Sequence, residues 1–239
     1  MDQKQLKSVR YGNINVRYYE DVGIGGMDFG QDFVPVVRQN FGKVGIVCDF
    51  AAGNGFIGFA LLANNLCDRL CLTDMNPRAI EACRQTIREN RLEERVSVYE
   101  SDGLKDVPAT EKWDLVVGNL PHYNGSEEQY RKDIKAIDPD WAIHKRFYSD
   151  VPAHLNDKGK VLIVEDVKAS RPEMWRKMVE ESGLNFVKTF KYRRIRYPGG
   201  SAIRSATASK PPFYRLVIAG ITWVANPAYP FYFVWSTRK

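Results

Sequence analysis

The sequence has 239 residues, of which 44% are hydrophobic and 27% charged, and its formal net charge is +6. This length suffices for one well-buried α/β domain with at most a small appendage, and we expect a single domain. No apolar run approaches the ~18 residues that a membrane span requires, and the first 20 residues lack the apolar core of a signal peptide. These features argue against a helical membrane protein and predict a soluble, cytoplasmic one.

The last quarter of the sequence carries basic residues but no acidic ones. Residues 182–239 contain ten Lys or Arg and no Asp or Glu, whereas residues 1–181 contain 25 basic and 29 acidic residues. A segment of one charge sign favours an anionic partner such as a nucleic acid or an acidic peptide. Pairing of these residues with the acidic first part of the chain is an equally valid interpretation.

The four cysteines fall inside predicted strands or helices. They form no CxxC pair and have no His nearby in the sequence. Buried, reduced thiols are therefore favoured over a disulfide or a metal site, and we expect no metal.

In chain order, a first segment is followed by alternating strands and helices. Residues 1–43 are too few for an independent domain and are predicted to form an extension that covers the site of the main domain, residues 44–239. The predicted strands cover 44–49, 70–73, 96–100, 113–118, 161–164, 186–192 and 213–223, ahead of an aromatic terminal segment, 229–235. One predicted helix begins near Phe56, and three others cover 77–90, 141–155 and 172–182. A turn is predicted at 158–160 and a helix cap at Ser170. This alternation predicts a parallel α/β sheet with helices on both faces and ligands at the carboxyl ends of the strands.

The stretch from Val44 to Gly58 is the centre of the predicted site. An apolar strand ends in Asp49, and Gly53 and Gly55 supply a loop that leads into a helix. Glycine suits this loop because a side chain would meet a ligand lying across the strand end, and because the loop needs positive φ. The first N–H groups of the helix then point at that ligand. Taken alone, this loop fits an ordinary βα turn equally well.

Acidic residues follow three successive predicted strands, at Asp49, Asp74 and Asp102. A carboxylate at the end of the second strand can accept hydrogen bonds from both hydroxyls of a ribose. The third can accept one from an adenine amino group. Asp49, at the end of the first strand, would repel a pyrophosphate but would suit a cationic ligand group such as a sulfonium or an α-amino group. The set therefore indicates an adenosyl ligand.

With these residues in this order, residues 28–192 resemble the class I S-adenosylmethionine-dependent methyltransferases. The resemblance implies a Rossmann-like, seven-stranded, mostly parallel sheet, the cofactor S-adenosyl-L-methionine and the product S-adenosyl-L-homocysteine. It also implies contacts of Asp49, Gly53 and Gly55 with the methionine moiety, of Asp74 with the ribose and of Asp102 with the adenine. The remaining predicted cofactor contacts are Ala51, Phe56, Met75, Gly103 and Asn119.

After the fourth strand, Asn119-Leu120-Pro121-His122 is similar to the Asn-Pro-Pro-(Tyr/Phe) signature of amino-methyltransferases. That group includes release-factor glutamine methyltransferases and enzymes that methylate adenine and guanine. A conjugated amide or amino nitrogen is a poor nucleophile, so the site must hold its N–H groups in position. The Asn119 side-chain oxygen and the Leu120 carbonyl can accept hydrogen bonds from these groups. Leu120 replaces the first Pro, and His122 replaces the Tyr or Phe of the signature. The His122 ring can stack on the acceptor or take its proton. An ordinary strand-to-loop turn is the alternative.

Further residues are predicted to contact the acceptor. Gln31 and Phe33 precede the first strand, in a segment that often closes over the site in this family, and Tyr123 follows the motif. The polar, basic segment 193–212 is too long for an ordinary turn and is predicted to be a lid or a disordered loop. Its acceptor contacts would be Arg193, Arg194, Arg196 and Tyr197.

Together these features predict an N-methyltransferase acting on a planar amide or amino nitrogen of a macromolecule or peptide. A nucleobase and a side-chain amide both remain open as acceptors, so the partner is RNA or a peptide, and no membrane is expected. One alternative is a small-molecule (natural-product) methyltransferase. The other, which Leu120 and His122 favour, is a cofactor-binding partner protein without turnover.

Overall fold

The computed structural model describes residues 5–22, 26–191 and 231–239. Its strands are β1 (Lys7–Tyr11), β2 (Ile14–Tyr18), β3 (Val44–Phe50), β4 (Cys67–Asp74), β5 (Val96–Glu100), β6 (Trp113–Gly118), β7 (Tyr123–Gly125), β8 (Ile137–Pro139), β9 (Leu155–Asp166), β10 (Leu184–Lys191) and β11 (Phe231–Arg238). Its helices are α1 (Gly26–Asn40), α2 (Phe56–Ala63), α3 (Pro77–Asn90), α4 (Glu127–Lys132), α5 (Ala142–Asp150) and α6 (Pro172–Glu181), with a 3₁₀ helix at Val151–His154. None of the described helices is long and apolar enough to cross a membrane.

Seven of these strands form one central sheet in the order β10-β11-β9-β6-β3-β4-β5. The five strands β3, β4, β5, β6 and β9 are parallel, and β11 runs antiparallel to both of its neighbours, β9 and β10. This sheet confirms the predicted Rossmann-like α/β fold. Its parallel strands place the ends of β3, β4, β5 and β6 along one edge, which is where the acidic residues were expected to meet.

The middle of the sheet is covered on both faces, which explains why its strands are continuous apolar runs. One apolar cluster contains Phe33, Phe59 and Phe233, and the other contains Trp113 and Trp175; all five side chains are buried. The four cysteines are also buried.

The N-terminal segment forms a β-hairpin, β1 and β2, followed by α1. Sequence analysis predicted an extension here without these elements. Helix α1 approaches α2 so closely that a Cβ added at Gly30 would lie 2.3 Å from the Phe56 carbonyl oxygen. Glycine is therefore required at this contact, which brings α1 next to the loop after β3.

Several predicted boundaries were wrong. The helix predicted over 141–155 is α-helical only from Ala142 to Asp150, because Pro152 lacks an N–H group and the chain tightens into the 3₁₀ helix. The turn predicted at 158–160 lies inside β9, where the ladder with β6 passes from Leu155 directly to Lys160. The intervening residues therefore bulge out of a strand that begins earlier than expected.

The prediction that Ser170 caps α6 was also wrong. The N-cap residue is Arg171, which makes no side-chain capping bond, while the Ser170 hydroxyl lies 2.8 Å from the Tyr232 hydroxyl and accepts from Trp175 Nε1 at 3.2 Å. The aromatic terminal segment proves to be strand β11. The predicted strand 213–223 and the predicted lid 193–212 lie outside the described residues.

Candidate active site

A cavity lies at the carboxyl edge of the sheet, where the loops after β3, β4, β5 and β6 converge. Most of the predicted cofactor contacts line it together, namely Ala51, Gly53, Phe56, Asp74, Met75, Asp102, Gly103 and Asn119. Pro121 of the predicted acceptor motif lines the same cavity. The structure thus gathers around one space predicted residues from the loops after four different strands.

The Asp74 carboxylate ties two loops together. Its Oδ2 accepts a hydrogen bond from the Gly53 backbone N–H at 2.7 Å, and its Oδ1 accepts one from the Asn76 N–H at 2.8 Å. Burial raises the pKa of Asp74, and these N–H groups oppose that shift. Each carboxylate oxygen still has a further lone pair, so Asp74 can accept from a diol while it holds the loop.

The loop after β3 uses the left-handed backbone conformation three times, at Ala51 (φ 52°), Gly53 (φ 54°) and Gly55 (φ 74°). Gly55 precedes α2 and does not line the cavity. A Cβ at this position would lie 2.7 Å from the Phe59 ring, so this glycine allows close packing of the loop on α2. Gly53 faces the cavity, as a ligand-contacting glycine should.

Asp49 lies beneath this loop rather than on the cavity wall. Its side chain is buried, and Oδ2 accepts a hydrogen bond from the Gly58 N–H of α2 at 2.8 Å. Its Oδ1 has no hydrogen-bond partner among the described residues. Burial raises the pKa of Asp49 well above its usual range, and the Gly58 bond opposes this shift. A cationic ligand group nearby would favour the charged carboxylate.

The Asp102 carboxylate is held by Arg146 of α5. Arg146 Nη1 donates to Oδ2 at 3.2 Å, and Nη2 makes a second, short bond to Oδ1. The hydrogen bond from Arg146 lowers the pKa of Asp102. Arg146 itself lines the cavity. An adenine amino group at Asp102 would therefore share this carboxylate with a guanidinium, a partner that sequence analysis did not identify.

Asn54 fastens the N-terminal segment to the loop. Its Nδ2 donates to the carbonyl oxygens of Tyr19 at 3.0 Å and Val22 at 2.8 Å, and its Oδ1 accepts from the Tyr19 N–H at 3.1 Å. An ion pair of 2.7 Å between Arg78 and Asp21 reinforces the same junction. Val22 lines the cavity as a result.

The predicted acceptor motif divides into two parts. Asn119 and Pro121 line the cavity, and the buried Asn119 Oδ1 has no hydrogen-bond partner in the part of the chain that the structure describes. Leu120 and His122 do not line it. The Leu120 side chain is buried in the core, and the His122 ring lies 5.3 Å from the Phe231 ring.

A buried network of ionisable side chains lies behind this motif. His144 is fully buried between Asp138 and Glu165, with its Nδ1 2.6 Å from Asp138 Oδ2 and its Nε2 2.9 Å from Glu165 Oε1. Burial alone would lower the pKa of His144, but the two carboxylates raise it to about 9, so both ring nitrogens donate. The second Glu165 oxygen, Oε2, lies 3.6 Å from His122 Nδ1. No set of three or more His, Cys, Asp or Glu within the described ranges has the arrangement of a metal site.

The predicted acceptor contacts are scattered. Gln31 is exposed and does not line the cavity, and Phe33 is buried with its ring 5.1 Å from that of Phe233. Tyr123 is 39% exposed and donates its hydroxyl to Asp166 Oδ2 at 2.8 Å. The remaining predicted acceptor contacts lie outside the described residues: Arg193, Arg194, Arg196 and Tyr197.

Sequence analysis missed three parts of the site: Asn54, Arg146 and the His144 network. The partners of Asn54 are backbone groups, which leave no pattern in the sequence. Arg146 and His144 lie on a helix whose orientation the sequence does not fix. Glu165, however, directly follows the predicted strand 161–164, and the strand-end rule that selected Asp49 and Asp74 would have selected it too.

The methyltransferase small domain family matches residues 24–192, most of the chain. The chain belongs to this family. Its membership confirms the predicted S-adenosylmethionine-dependent methyltransferase class, and the Asn-Pro-Pro-(Tyr/Phe) subtype stays a prediction.

The curated relatives are longer than this chain. The ribosomal RNA small subunit methyltransferase C of Haemophilus influenzae is 29% identical over 132 residues, which cover 55% of this chain and 36% of that protein. The chain therefore spans about a third of the length of the curated relatives that it matches.

Solved structures of low sequence identity share the fold. The 16S rRNA N2 methyltransferase of T. thermophilus, in complex with AdoMet and guanosine, has a TM-score of 0.61 and 13% identity, over 98% of this chain and 50% of that one. The glycopeptide N-methyltransferase MtfA, complexed with sinefungin, has a TM-score of 0.58 and 13% identity, over 88% of this chain and 87% of that one. These likenesses support the fold assignment.

We expect Asn54→Ala to detach the N-terminal segment from the cavity. The change removes three hydrogen bonds and leaves backbone groups of Tyr19 and Val22 unpaired, so the free energy of unfolding should fall by about 2 kcal/mol. Urea unfolding measures this loss, and calorimetric titration with S-adenosylhomocysteine should show weaker binding. As a control, Asn40→Ala removes a single bond to the Val36 carbonyl within α1 and should leave the binding unchanged. Equal effects of both variants would contradict the role of Asn54.

The His144 network makes stability depend on pH. Because the folded-state pKa of His144 is about 9 and its ordinary value is 6.5, its stabilising contribution is complete below pH 6.5 and is lost as the pH rises through 9. The free energy of unfolding should therefore fall between these pH values by on the order of 3 kcal/mol more in the native protein than in His144→Gln. Urea titrations at several pH values test this. In His154→Gln, the free energy of unfolding should depend on pH as it does in the native protein. The same dependence in His144→Gln would disprove the assignment of the effect to His144.

Proposed function

We propose that this chain transfers a methyl group from S-adenosyl-L-methionine to a planar amino nitrogen of a nucleobase in RNA. The observation that carries the proposal is Asn119, which lines the cavity and whose buried side-chain oxygen has no partner within the described residues. A buried acceptor without a partner costs free energy unless a donor reaches it. An amino N–H group of the substrate is a donor of the required kind.

The residues around the cavity suit the proposed cofactor. Asp74 would hold the ribose hydroxyls, Asp102 and Arg146 flank the place proposed for the adenine, and the buried Asp49 carboxylate favours a nearby cation. The cofactor supplies a methyl group that its sulfonium already activates. The protein therefore contributes mainly by positioning and by excluding water.

The acceptor motif would orient the nitrogen that is methylated. Asn119 Oδ1 would accept one of its N–H groups, and the Leu120 backbone carbonyl would accept the other. The buried Leu120 side chain anchors this turn in the core, in place of the rigid ring of a proline. Pro121 faces the cavity beside Asn119 and would pack against the planar acceptor.

Two observations favour RNA as the acceptor. The relatives from Haemophilus influenzae are ribosomal RNA methyltransferases, and the T. thermophilus neighbour was solved with guanosine, which makes the guanine N2 amino group the first candidate. In addition, residues 182–239 carry ten basic and no acidic residues, which suits a polyanion. Within that segment, Arg193, Arg194, Arg196 and Tyr197 remain predicted acceptor contacts, and residues 1–43 remain a predicted cover for the site.

Two substitutions separate cofactor binding from methyl transfer. Asp74→Ala should weaken S-adenosylhomocysteine binding at least tenfold, because it removes the proposed ribose acceptor and releases the Gly53 loop. Asn119→Ala should leave that affinity nearly unchanged and reduce transfer by roughly a hundredfold or more. Calorimetric titration measures the first effect, and a radiolabelled methyl-transfer assay with total RNA and total protein measures the second.

Asn156→Ala is a matched control, because this asparagine bonds Asp114 near the opposite edge of the sheet. It should bind and transfer normally. Label in RNA supports the proposal, whereas label in protein would replace the nucleobase by a side-chain amide. Binding without label in either would move the assignment to a small-molecule acceptor or to a partner protein without turnover.

A further inference from the structure

The order of the strands along the sheet edge places the Asp102 carboxylate at the end of the cavity away from the acceptor motif. Asn119 follows β6, Gly53 follows β3, Asp74 ends β4 and Asp102 follows β5, and these four strands are consecutive neighbours in the sheet. The Ser101 N–H group donates to the Asp74 carbonyl oxygen at 2.9 Å, which joins the last two positions. A ligand with its ribose at Asp74 and its reactive end at Asn119 therefore has its base at Asp102.

Arg146 holds both oxygens of this carboxylate. Its Nη1 donates to Asp102 Oδ2 at 3.2 Å and its Nη2 makes a short bond to Oδ1, a bidentate arrangement that fixes the orientation as well as the place of the carboxylate. Both side chains line the cavity and are a little under half exposed, and an ion pair this exposed contributes little to stability. The geometry is therefore better explained by what it does to Asp102 than by the stability it adds.

The backbone of Gly103 is fitted to the Arg146 side chain. Gly103 has a φ of 72°, in the left-handed region, and a Cβ at this position would lie 2.9 Å from Arg146 Nε. A larger residue would therefore push the guanidinium out of place. Gly103 and Arg146 both line the cavity, so this fit lies at the surface that a ligand meets.

Helix α5 provides a rigid base for Arg146. The Asp138 side chain accepts a hydrogen bond from the Ile143 N–H group at 2.8 Å and so holds the first turn. The buried Phe147 ring packs on that of Phe50, at the end of β3, with the ring centres 4.5 Å apart. Ile143 and Arg146 are three positions apart on one face of the helix, and both line the cavity. The guanidinium thus extends from a helix that is anchored at the sheet edge.

Lys105 is a weaker partner for the same carboxylate. Its Nζ lies 3.5 Å from Asp102 Oδ2, its side chain is 61% exposed, and it does not line the cavity. Both cations lower the pKa of Asp102, the hydrogen bond from Arg146 most strongly. The carboxylate beside the base is therefore ionised at neutral pH and offers only lone pairs. Such a group attracts the amino N–H of an adenine and repels the carbonyl oxygen that hypoxanthine carries at the same position.

We propose that Arg146 is a positioning residue that fixes the Asp102 carboxylate for the adenine amino group and makes the site select an adenosyl over an inosyl ligand. Arg146 acts through Asp102 and makes no hydrogen bond to the base. This inference rests on the proposed function, because it takes the place of the adenine from there.

Binding measurements on the full chain test the proposal without turnover. The probes are S-adenosylhomocysteine and S-inosylhomocysteine, in which a carbonyl oxygen replaces the amino group, and calorimetric titration gives both affinities. We expect the native protein to prefer the adenosyl compound by roughly a hundredfold. In Arg146→Met the preference should fall to about tenfold or less, because the carboxylate is free to turn away. A general loss of structure would weaken both ligands alike and leave the ratio of their affinities unchanged.

Lys105→Met is the matched control, because it removes a positive charge from the same carboxylate but leaves the bidentate pair intact. It should keep the native preference. Asp102→Asn should abolish the preference, since its amide offers a donor to the carbonyl oxygen as well as an acceptor to the amino group. Adding Arg146→Met to Asp102→Asn should not change the ratio again. A further change would show that Arg146 contacts the base directly, and a native preference in Arg146→Met would show that the ion pair is only structural; either result would overturn the proposal.

This inference and the proposed function fail separately. If the native protein binds S-adenosylhomocysteine but methylates no RNA, the proposed function fails, and the ratio of affinities still decides the role of Arg146. Equal native affinities for the two probes, together with normal methylation of RNA, would leave the proposed function in place and overturn this inference.

Discussion

The hydrogen bond from the Gly53 N–H group to the Asp74 carboxylate is the constraint on which the site depends. At 2.7 Å, it joins the loop after β3 to the end of β4 and fixes the left-handed backbone of that loop. Parallel strands bring these two loops to the same edge of the sheet, and the carboxylate makes the arrangement specific. One side chain therefore shapes the cavity wall and offers an acceptor to a ligand.

The surrounding elements extend this constraint to the two ends of the cavity. Asn54, in the same loop, holds the N-terminal segment so that Val22 reaches the cavity. At the other end, Asn119 follows β6, the neighbour of β3, and its buried oxygen lacks a partner within the described residues. Asp74 and Asn54 are thus already hydrogen-bonded within the protein, whereas Asn119 and the buried Asp49 each have a side-chain oxygen without a partner among the described residues.

Much of this arrangement could be predicted from the sequence, because apolar runs that end in an acid mark buried parallel strands. Asp74 was found in this way, Gly53 from the glycine loop that follows the first such strand, and Asn119 from the similarity of its motif to the amino-methyltransferase signature. Contacts that depend on the orientation of a helix could not be found, such as the Arg146 clamp on Asp102, and neither could the break that Pro152 imposes on a predicted helix. A polar side chain whose partners are backbone groups leaves no periodic pattern. The N-terminal hairpin was not predicted, because residues 1–43 were assigned only as an extension.

A crystal structure of the full chain with S-adenosylhomocysteine would test the central claim most directly. We predict that both ribose hydroxyls lie within hydrogen-bond distance of the Asp74 carboxylate, while the bond from the Gly53 N–H group persists. The homocysteine sulfur should lie on the side of Asn119, with the Asn119 oxygen left accessible to an acceptor. A ligand whose ribose does not contact Asp74, or whose adenosyl group covers the Asn119 oxygen, would contradict this account of the site.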